Sequence, residues 1–332
     1  MCVSDYTAIR NMRLSFVVPV RNDAGRLATC LEAIRTNRYP AELFEIIVVD
    51  NGSTDDSAVV ANSRGARVLD APGSSVAVMR NMGVNVASGE VVAFVDADNI
   101  IGSDWISPAL RNFLSPDVAA AGALYLAPPS GTWVQGAYDR MRPRLPGVRD
   151  AEWLAAGNLA VRKAVFLEIG GFDTSLETCE DVDLCNRMRQ AGYRVLNDPD
   201  LRSVHLGDPA TMRALFLGEL WRGRDNIRVS LRGPLTASAL PSIVIPLVTL
   251  GCLVVGALGL LAGPFGGLTL TGAAVAVLLA ITALRVGRMS LNQSVVNVRD
   301  LPGNAAVAAV YELARGLALV ARATHRHRRE HS

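Results

Sequence analysis

The chain has 332 residues, with 33 lysines and arginines against 31 aspartates and glutamates and a formal charge of +2. That length exceeds the usual single domain, so a catalytic-sized domain plus further structure is expected, and the near-balanced charge excludes a strong electrostatic footprint for nucleic acid. Hydrophobic residues make up 50% of the chain and mean hydropathy is +0.26, with the apolar excess concentrated late in the sequence.

No basic n-region, apolar h-region and small-residue cleavage site opens the chain, so no secretory signal is expected and the first domain is expected in the cytoplasm. Short apolar runs predict strands over 14–20, 44–50, 66–70 and 91–96, of the kind buried on both faces. Segments 24–37, 57–63 and 74–87 between them read as crossover helices, which makes the pattern doubly wound α/β. Ligands collect at the carboxyl ends of such strands, where the sequence places Arg21, Asn22, Asp23, Asp50, Asp96 and Asp98. In VVAFVDADN, residues two apart on a strand face one way, so Asp96 and Asp98 can offer oxygens to one hard divalent cation. A solvated turn or helix cap fits the same motif, and Asp50 followed by Asn51, Gly52 and Ser53 fits a turn as well as a binding site.

Further along, Glu180 and Asp181 open a helix with Leu184 and Met188 on one face, where the macrodipole favours acidic residues. The strand-like YRVLNDPDLRSVH ends on His205. Residues 211–239 read as an amphipathic interfacial helix, with Trp221 suited to the headgroup layer. No charged residue occurs over 233–284, and a bilayer span needs about 20 apolar residues. Two spans fit, over 240–261 and 268–284, separated by the breakers Gly263, Pro264, Gly266 and Gly267. Arg222, Arg224, Arg228 and Arg232 precede this hairpin and Arg285, Arg288 and Arg299 follow it, which places both ends on the cytoplasmic side of the inner membrane. In 303–322, which fits an interfacial helix or a third span, Glu312 and Arg315 can pair one turn apart, and because charges inside hydrocarbon are expensive the interfacial helix is expected. His325, His327 and His331 sit in a cationic tail suited to anionic lipid. Cys2, Cys30, Cys179, Cys185 and Cys252 are scattered without a CxxC pair, so neither a disulfide framework nor a zinc knuckle is expected. The predicted organisation is therefore a catalytic domain over 1–210, a linker helix over 211–239, two spans within 240–284 and a cytoplasmic segment over 285–332.

Taken in order, SFVVPVRND, IIVVDNGSTDDS, MRNMGVNVASGEVVAFVDADN, AAGNLAVRKAVFLEIGGFD and ETCEDVDLCNRMRQAGYRV resemble the successive motifs of family 2 glycosyltransferases. These are inverting enzymes of the GT-A fold that use nucleotide-diphosphate sugars, and the resemblance covers residues 14–205. It implies an α/β, GT-A-type doubly wound mixed sheet, which the charge-free apolar run follows with a C-terminal transmembrane helical hairpin. It further implies that Pro19, Val20 and Asn22 frame the base, that Asp50 accepts from the base, and that Arg80 meets the diphosphate. Asp96 and Ala97 belong to the nucleotide-sugar site. Asp98, with Asp96 and His205, is the implied ligand set for Mn2+ or Mg2+. Gly157, Asn158 and Glu180 fall on the acceptor side, and Asp181 matches the general base. The implied partners are a UDP-, GDP- or dTDP-linked sugar, a lipid-linked or polysaccharide acceptor, and a membrane. Processive synthases of the family carry Gln-x-x-Arg-Trp where this chain has Trp221-Arg222-Gly223-Arg224, a departure that speaks against polymerisation. A sugar nucleotidyltransferase is a second reading, although PVRND is not a glycine-rich triphosphate loop. A non-catalytic membrane scaffold is a third.

Overall fold

The computed structural model describes residues 11–144, 146–233, 236, 237, 239–262, 264–293 and 297–321. Gly263, Cys2 and the histidines of the tail lie outside them. Two compact units result. One comprises the described residues up to Pro128 and from 146 to Gly207; the other comprises Pro129–Arg144 and the described residues from Asp208 onward.

In the first unit the chain runs β1 (Leu14–Val20), α1 (Ala24–Arg35), β2 (Phe44–Asp50), α2 (Ser57–Ser63), β3 (Arg67–Asp70), α3 (Val76–Val86), β4 (Val91–Val95), β5 (Asn99–Ile101), α4 (Ile106–Asn112) and β6 (Val118–Gly122). Helix α5 (Trp133–Asp139) belongs to the second unit. The first unit resumes with β7 (Arg149–Asp150), β8 (Asn158–Arg162), α6 (Lys163–Glu168), α7 (Glu180–Gln190), β9 (Arg194–Asn197) and β10 (Ser203–His205). The eight-stranded sheet has the order β3-β2-β1-β4-β8-β6-β9-β7. Strands β1 to β4 pair in parallel, whereas β8 is antiparallel to both β4 and β6. The sheet is thus mixed, as the family resemblance implies.

Alternate residues of the apolar strands enter different cores. Phe16 and Val18 pack with Leu27, Leu31, Ile34 and Trp105 on one face, while Val17 packs with Phe94, Phe166 and Phe172 on the other. Burial on both faces is why these strands read as unbroken hydrophobic runs. Two predicted boundaries differ. Strand β4 stops at Val95, so Asp96 and Asp98 stand in a turn closed by the Asn99 N–H donating to Asp96 O at 2.9 Å. The predicted strand ending at His205 is two strands: Asp198-Pro199-Asp200 forms a turn between them, and β10 pairs antiparallel with β5, setting His205 opposite Asn99. Proline lacks the N–H that a continued ladder requires.

The second unit contains α5, α8 (Met212–Arg222), α9 (Asn226–Ser230), α10 (Leu240–Leu261), α11 (Pro264–Leu291) and α12 (Leu301–Leu317). The expected linker helix breaks at Gly223-Arg224-Asp225 into α8 and α9. Helices α10 and α11 contain apolar stretches long enough to cross a hydrocarbon layer, with mean hydropathy 2.5 and 2.1. Their surfaces are mostly exposed, including Leu260, Leu261, Leu268 and Leu291, which does not suit a helical hairpin in a water-soluble core. Helix α11 begins at Pro264, where a missing N–H is harmless, and continues past Arg285. Helix α12 contributes Val307 to a small core with Val134, Ala137 and Leu215. Glu312 is buried there and pairs with Arg285 of α11, not with Arg315, which donates to Asn226 Oδ1 at 3.3 Å.

Candidate active site

The carboxyl ends of β1 and β2 are tied together by short polar side chains. Asn22 takes a left-handed backbone, φ 51°, a conformation that asparagine tolerates better than most residues. Its Oδ1 accepts from the Thr54 N–H at 2.7 Å, and its own N–H donates to Ser53 Oγ at 2.9 Å. Asp50, buried, accepts from the Ser53 N–H at 3.1 Å and from the Ser53 hydroxyl. Turn chemistry and a strand-end carboxylate therefore coexist at Asp50. Val20 packs in the core and Pro19 is buried opposite Val49. Both residues are thus buried at the strand end that leads to Asn22.

On α3, Arg80 is 4% exposed and splits its guanidinium between two carboxylates: Nη2 donates to Asp96 Oδ1 at 2.7 Å and Nη1 to Glu180 Oε1 at 2.8 Å. Burial opposes its charge, but Asp96 and Glu180 outweigh that and raise its pKa above the ordinary guanidinium value. The Arg80 fork expected at a diphosphate is therefore committed to an internal bridge. The same bond occupies one lone pair of Asp96 Oδ1. Ala97 is buried between the two aspartates.

Asp181 lies in the first turn of α7, partly exposed. Its Oδ1 accepts from the Val182 N–H at 2.8 Å and its Oδ2 from the Ala156 N–H at 3.3 Å. Its pKa is pushed up to about 7, mainly by burial and then by Glu180, against the opposing pull of Arg80 and the two N–H groups. The residue after Ala156 is Gly157, where a Cβ would overlap Asp96 Oδ2 and come within 2.5 Å of Tyr125 Oη. Asp96 and Asp181 are thus linked twice, through Ala156-Gly157 and through Arg80 with Glu180. Burial, Asp96 and Asp181 together drive the Tyr125 phenol well above its ordinary pKa. Asn158, expected on the acceptor side, turns inward instead. It is fully buried, with Nδ2 donating to Ala123 O and Leu201 O, and Oδ1 accepting from Trp105 Nε1.

Asp98 Oδ1 is 3.5 Å from His205 Nε2, and the His205 ring stacks on Tyr125 with centroids 4.7 Å apart. Burial opposes the Asp98 charge, but His205 and Arg26 hold the carboxyl below its ordinary range. Among the described residues, no three His, Cys, Asp or Glu side chains make a metal cage. An ionised carboxylate beside an imidazole nevertheless fits a hard divalent cation whose remaining ligands are water and phosphate oxygens. Sequence reasoning missed Tyr125, Arg26 and Gly207. For Gly207 a signal existed, since a glycine two residues beyond a candidate ligand often marks close approach. A Cβ there would fall on Asp98 Oδ2. Gly207→Ala is therefore expected to displace the Asp98 carboxylate and lower transferase activity at least tenfold with little loss of thermal stability. Paired activity and melting measurements check this.

Residues 15–163 match the family model described as glycosyl transferase family 2. Glycosyltransferase AglE of Haloferax volcanii is 27% identical over 209 residues, which cover 59% of this chain and 67% of that protein. The pre-mycofactocin glycosyltransferase of Mycobacterium tuberculosis is 29% identical over 205 residues, covering 58% of this chain and 42% of that protein. The chain thus spans less than half the length of this second relative. Among solved structures, the mannosyltransferase PcManGT from Pyrobaculum calidifontis, in complex with GDP-Man and Mn2+, aligns with a TM-score of 0.57 at 19% identity. That alignment covers 92% of this chain and 87% of the other, and it shows a shared fold.

Proposed function

We propose that this chain, whose residues 15–163 match the model of glycosyl transferase family 2, is an inverting, membrane-bound enzyme that moves one sugar from a nucleotide-diphosphate donor to an acceptor hydroxyl. The observation that carries this reading is Asp181. It is a carboxylate held in a helix's first turn with its pKa pushed up to about 7, joined by Ala156-Gly157 to the Asp96 carboxylate.

Asn22 and Asp50 receive the base of the nucleotide. Asp50 keeps acceptor capacity beyond its bonds to Ser53, since an ionised carboxylate offers about four lone-pair sites. Asp98 and His205 would hold Mn2+ or Mg2+, which supplies positive charge to a departing diphosphate. The PcManGT complex with GDP-Man and Mn2+ is in keeping with this. Asp181 takes the proton of the acceptor hydroxyl as that oxygen bonds to the anomeric carbon. The carbon–diphosphate bond breaks, its electron pair leaves with the nucleoside diphosphate, and single displacement inverts the anomeric centre. Arg80 does not touch the reacting atoms in this scheme. It holds Asp96 and Glu180 in place and moderates the Asp181 pKa.

The exposed apolar surfaces of α10 and α11 suit lipid, and a membrane hairpin suits an acceptor that is lipid-linked or a growing cell-surface saccharide. A scaffold without activity has no need of the carboxylate arrangement around Asp181. The test is a panel of UDP-, GDP- and dTDP-sugars with Mn2+ or Mg2+, read by nucleoside diphosphate release in the presence of membrane extract. One donor class is expected to turn over. Pyrophosphate release from a sugar 1-phosphate and a nucleoside triphosphate, with every nucleotide sugar inert, would favour the nucleotidyltransferase reading instead.

A further inference from the structure

Arg26, in the first turn of α1, sits between two carboxylates. Its Nε donates to Asp23 Oδ1 at 2.9 Å, and its Nη1 lies 3.8 Å from Asp98 Oδ2. The other Asp98 oxygen faces His205. The contact with Asp23 is a hydrogen bond and anchors the base of the guanidinium. The approach to Asp98 is longer than a hydrogen bond and is electrostatic. Arg26 is about one-third exposed, so its outer end has room to move.

We infer that Arg26 is a built-in counter-ion for Asp98, one that competes with a divalent cation for this carboxylate and is released to the donor's diphosphate when the cation enters. This rests on Asp98 being the cation ligand. A guanidinium keeps its charge at every physiological pH, so it yields Asp98 by moving and not by losing a proton. Once a divalent cation occupies Asp98, repulsion drives the Nη end away. A diphosphate oxygen is the natural new partner, because guanidinium and phosphate form short charge-assisted bonds. The Asp23 anchor keeps the side chain at the site throughout. The consequence is coupling: the cation binds weakly by itself and more tightly with a diphosphate, and by linkage the diphosphate gains the same factor from the cation.

The experiment measures Mn2+ binding to the full chain in detergent, by the electron paramagnetic resonance of free Mn2+, with and without inorganic pyrophosphate. Arg26→Gln is expected to tighten binding of Mn2+ by itself about fivefold, in line with a partly exposed ion pair worth about 1 kcal/mol. The same variant should shrink the enhancement that pyrophosphate gives. Asp23→Asn loosens the anchor, leaves Arg26 free to pair with Asp98, and is expected to weaken binding of Mn2+ by itself. Unchanged or weaker Mn2+ binding in Arg26→Gln, or tighter binding in Asp23→Asn, overturns the inference. Asp98→Asn separates the two levels. Loss of Mn2+ binding upholds Asp98 as the ligand whatever Arg26→Gln shows, whereas undiminished binding removes the premise and the inference with it.

Discussion

Asp181→Asn is expected to lower kcat by about 10²- to 10⁴-fold, the usual contribution of a positioned general base, while leaving donor and Mn2+ affinity within a fewfold of wild type. Asparagine keeps the shape and one acceptor oxygen for the Val182 or Ala156 N–H, so the local fold is retained. What disappears is the group that can accept a proton. Burial and Glu180 push the Asp181 pKa up to about 7, with Arg80 opposing, so in the wild type kcat/KM should rise with pH through that value and level off above it. Below it, the rate should fall tenfold per unit as the carboxyl protonates. The variant's residual rate should lack this acid limb. A limb of the same midpoint in Asp181→Asn would assign the titrating group elsewhere, and equal turnover would remove Asp181 from the chemistry.

Sequence and structure agree most closely where burial is two-sided. Strands β1, β2 and β4 announce themselves because Leu14–Val20, Phe44–Asp50 and Val91–Val95 are apolar on both faces, and local composition encodes that fact directly. Asp50, Asp96, Asp98 and Asp181 are legible as candidates from their places at strand ends and in a helix's first turn. Their partners are not. Arg80 looked like a cation awaiting a phosphate, because sequence spacing cannot show that Glu180, a hundred residues away, reaches its guanidinium. Asn158 resembled a site residue, yet its three side-chain hydrogen bonds all come from segments distant in sequence. The pairing of Glu312 with Arg285 instead of Arg315 has the same origin, since a tertiary ion pair overrides a helical spacing rule worth only about 0.2–0.5 kcal/mol. Helix α5 was missed outright. Its capping box, Thr132 with Gln135, is a readable signal, but the helix is short and its apolar face is completed by residues from elsewhere in the second unit.

Arg80→Met is expected to destabilise the first unit by roughly 3 kcal/mol, the low end for breaking a buried ion pair by removing one partner. The low end applies because Asp96 keeps 30% of its side chain exposed and can recover some hydration, whereas Glu180, at 12%, recovers little. Methionine replaces the aliphatic stem but not the guanidinium that sits 5.5 Å over the Phe172 ring. Two carboxylates are left without their shared cation. Melting at pH 7 measures the deficit. Glu180→Gln in the same background should recover part of it at pH 7 by neutralising one stranded charge. Catalysis should change in a separate way. Since Arg80 holds the Asp181 pKa down, its removal should carry the acid limb of kcat/KM to higher pH, so that activity at pH 7 falls further than at pH 8.5. An acid limb that stays in place would deny Arg80 its electrostatic part in the site and leave it a purely structural bridge between α3, α7 and the turn after β4.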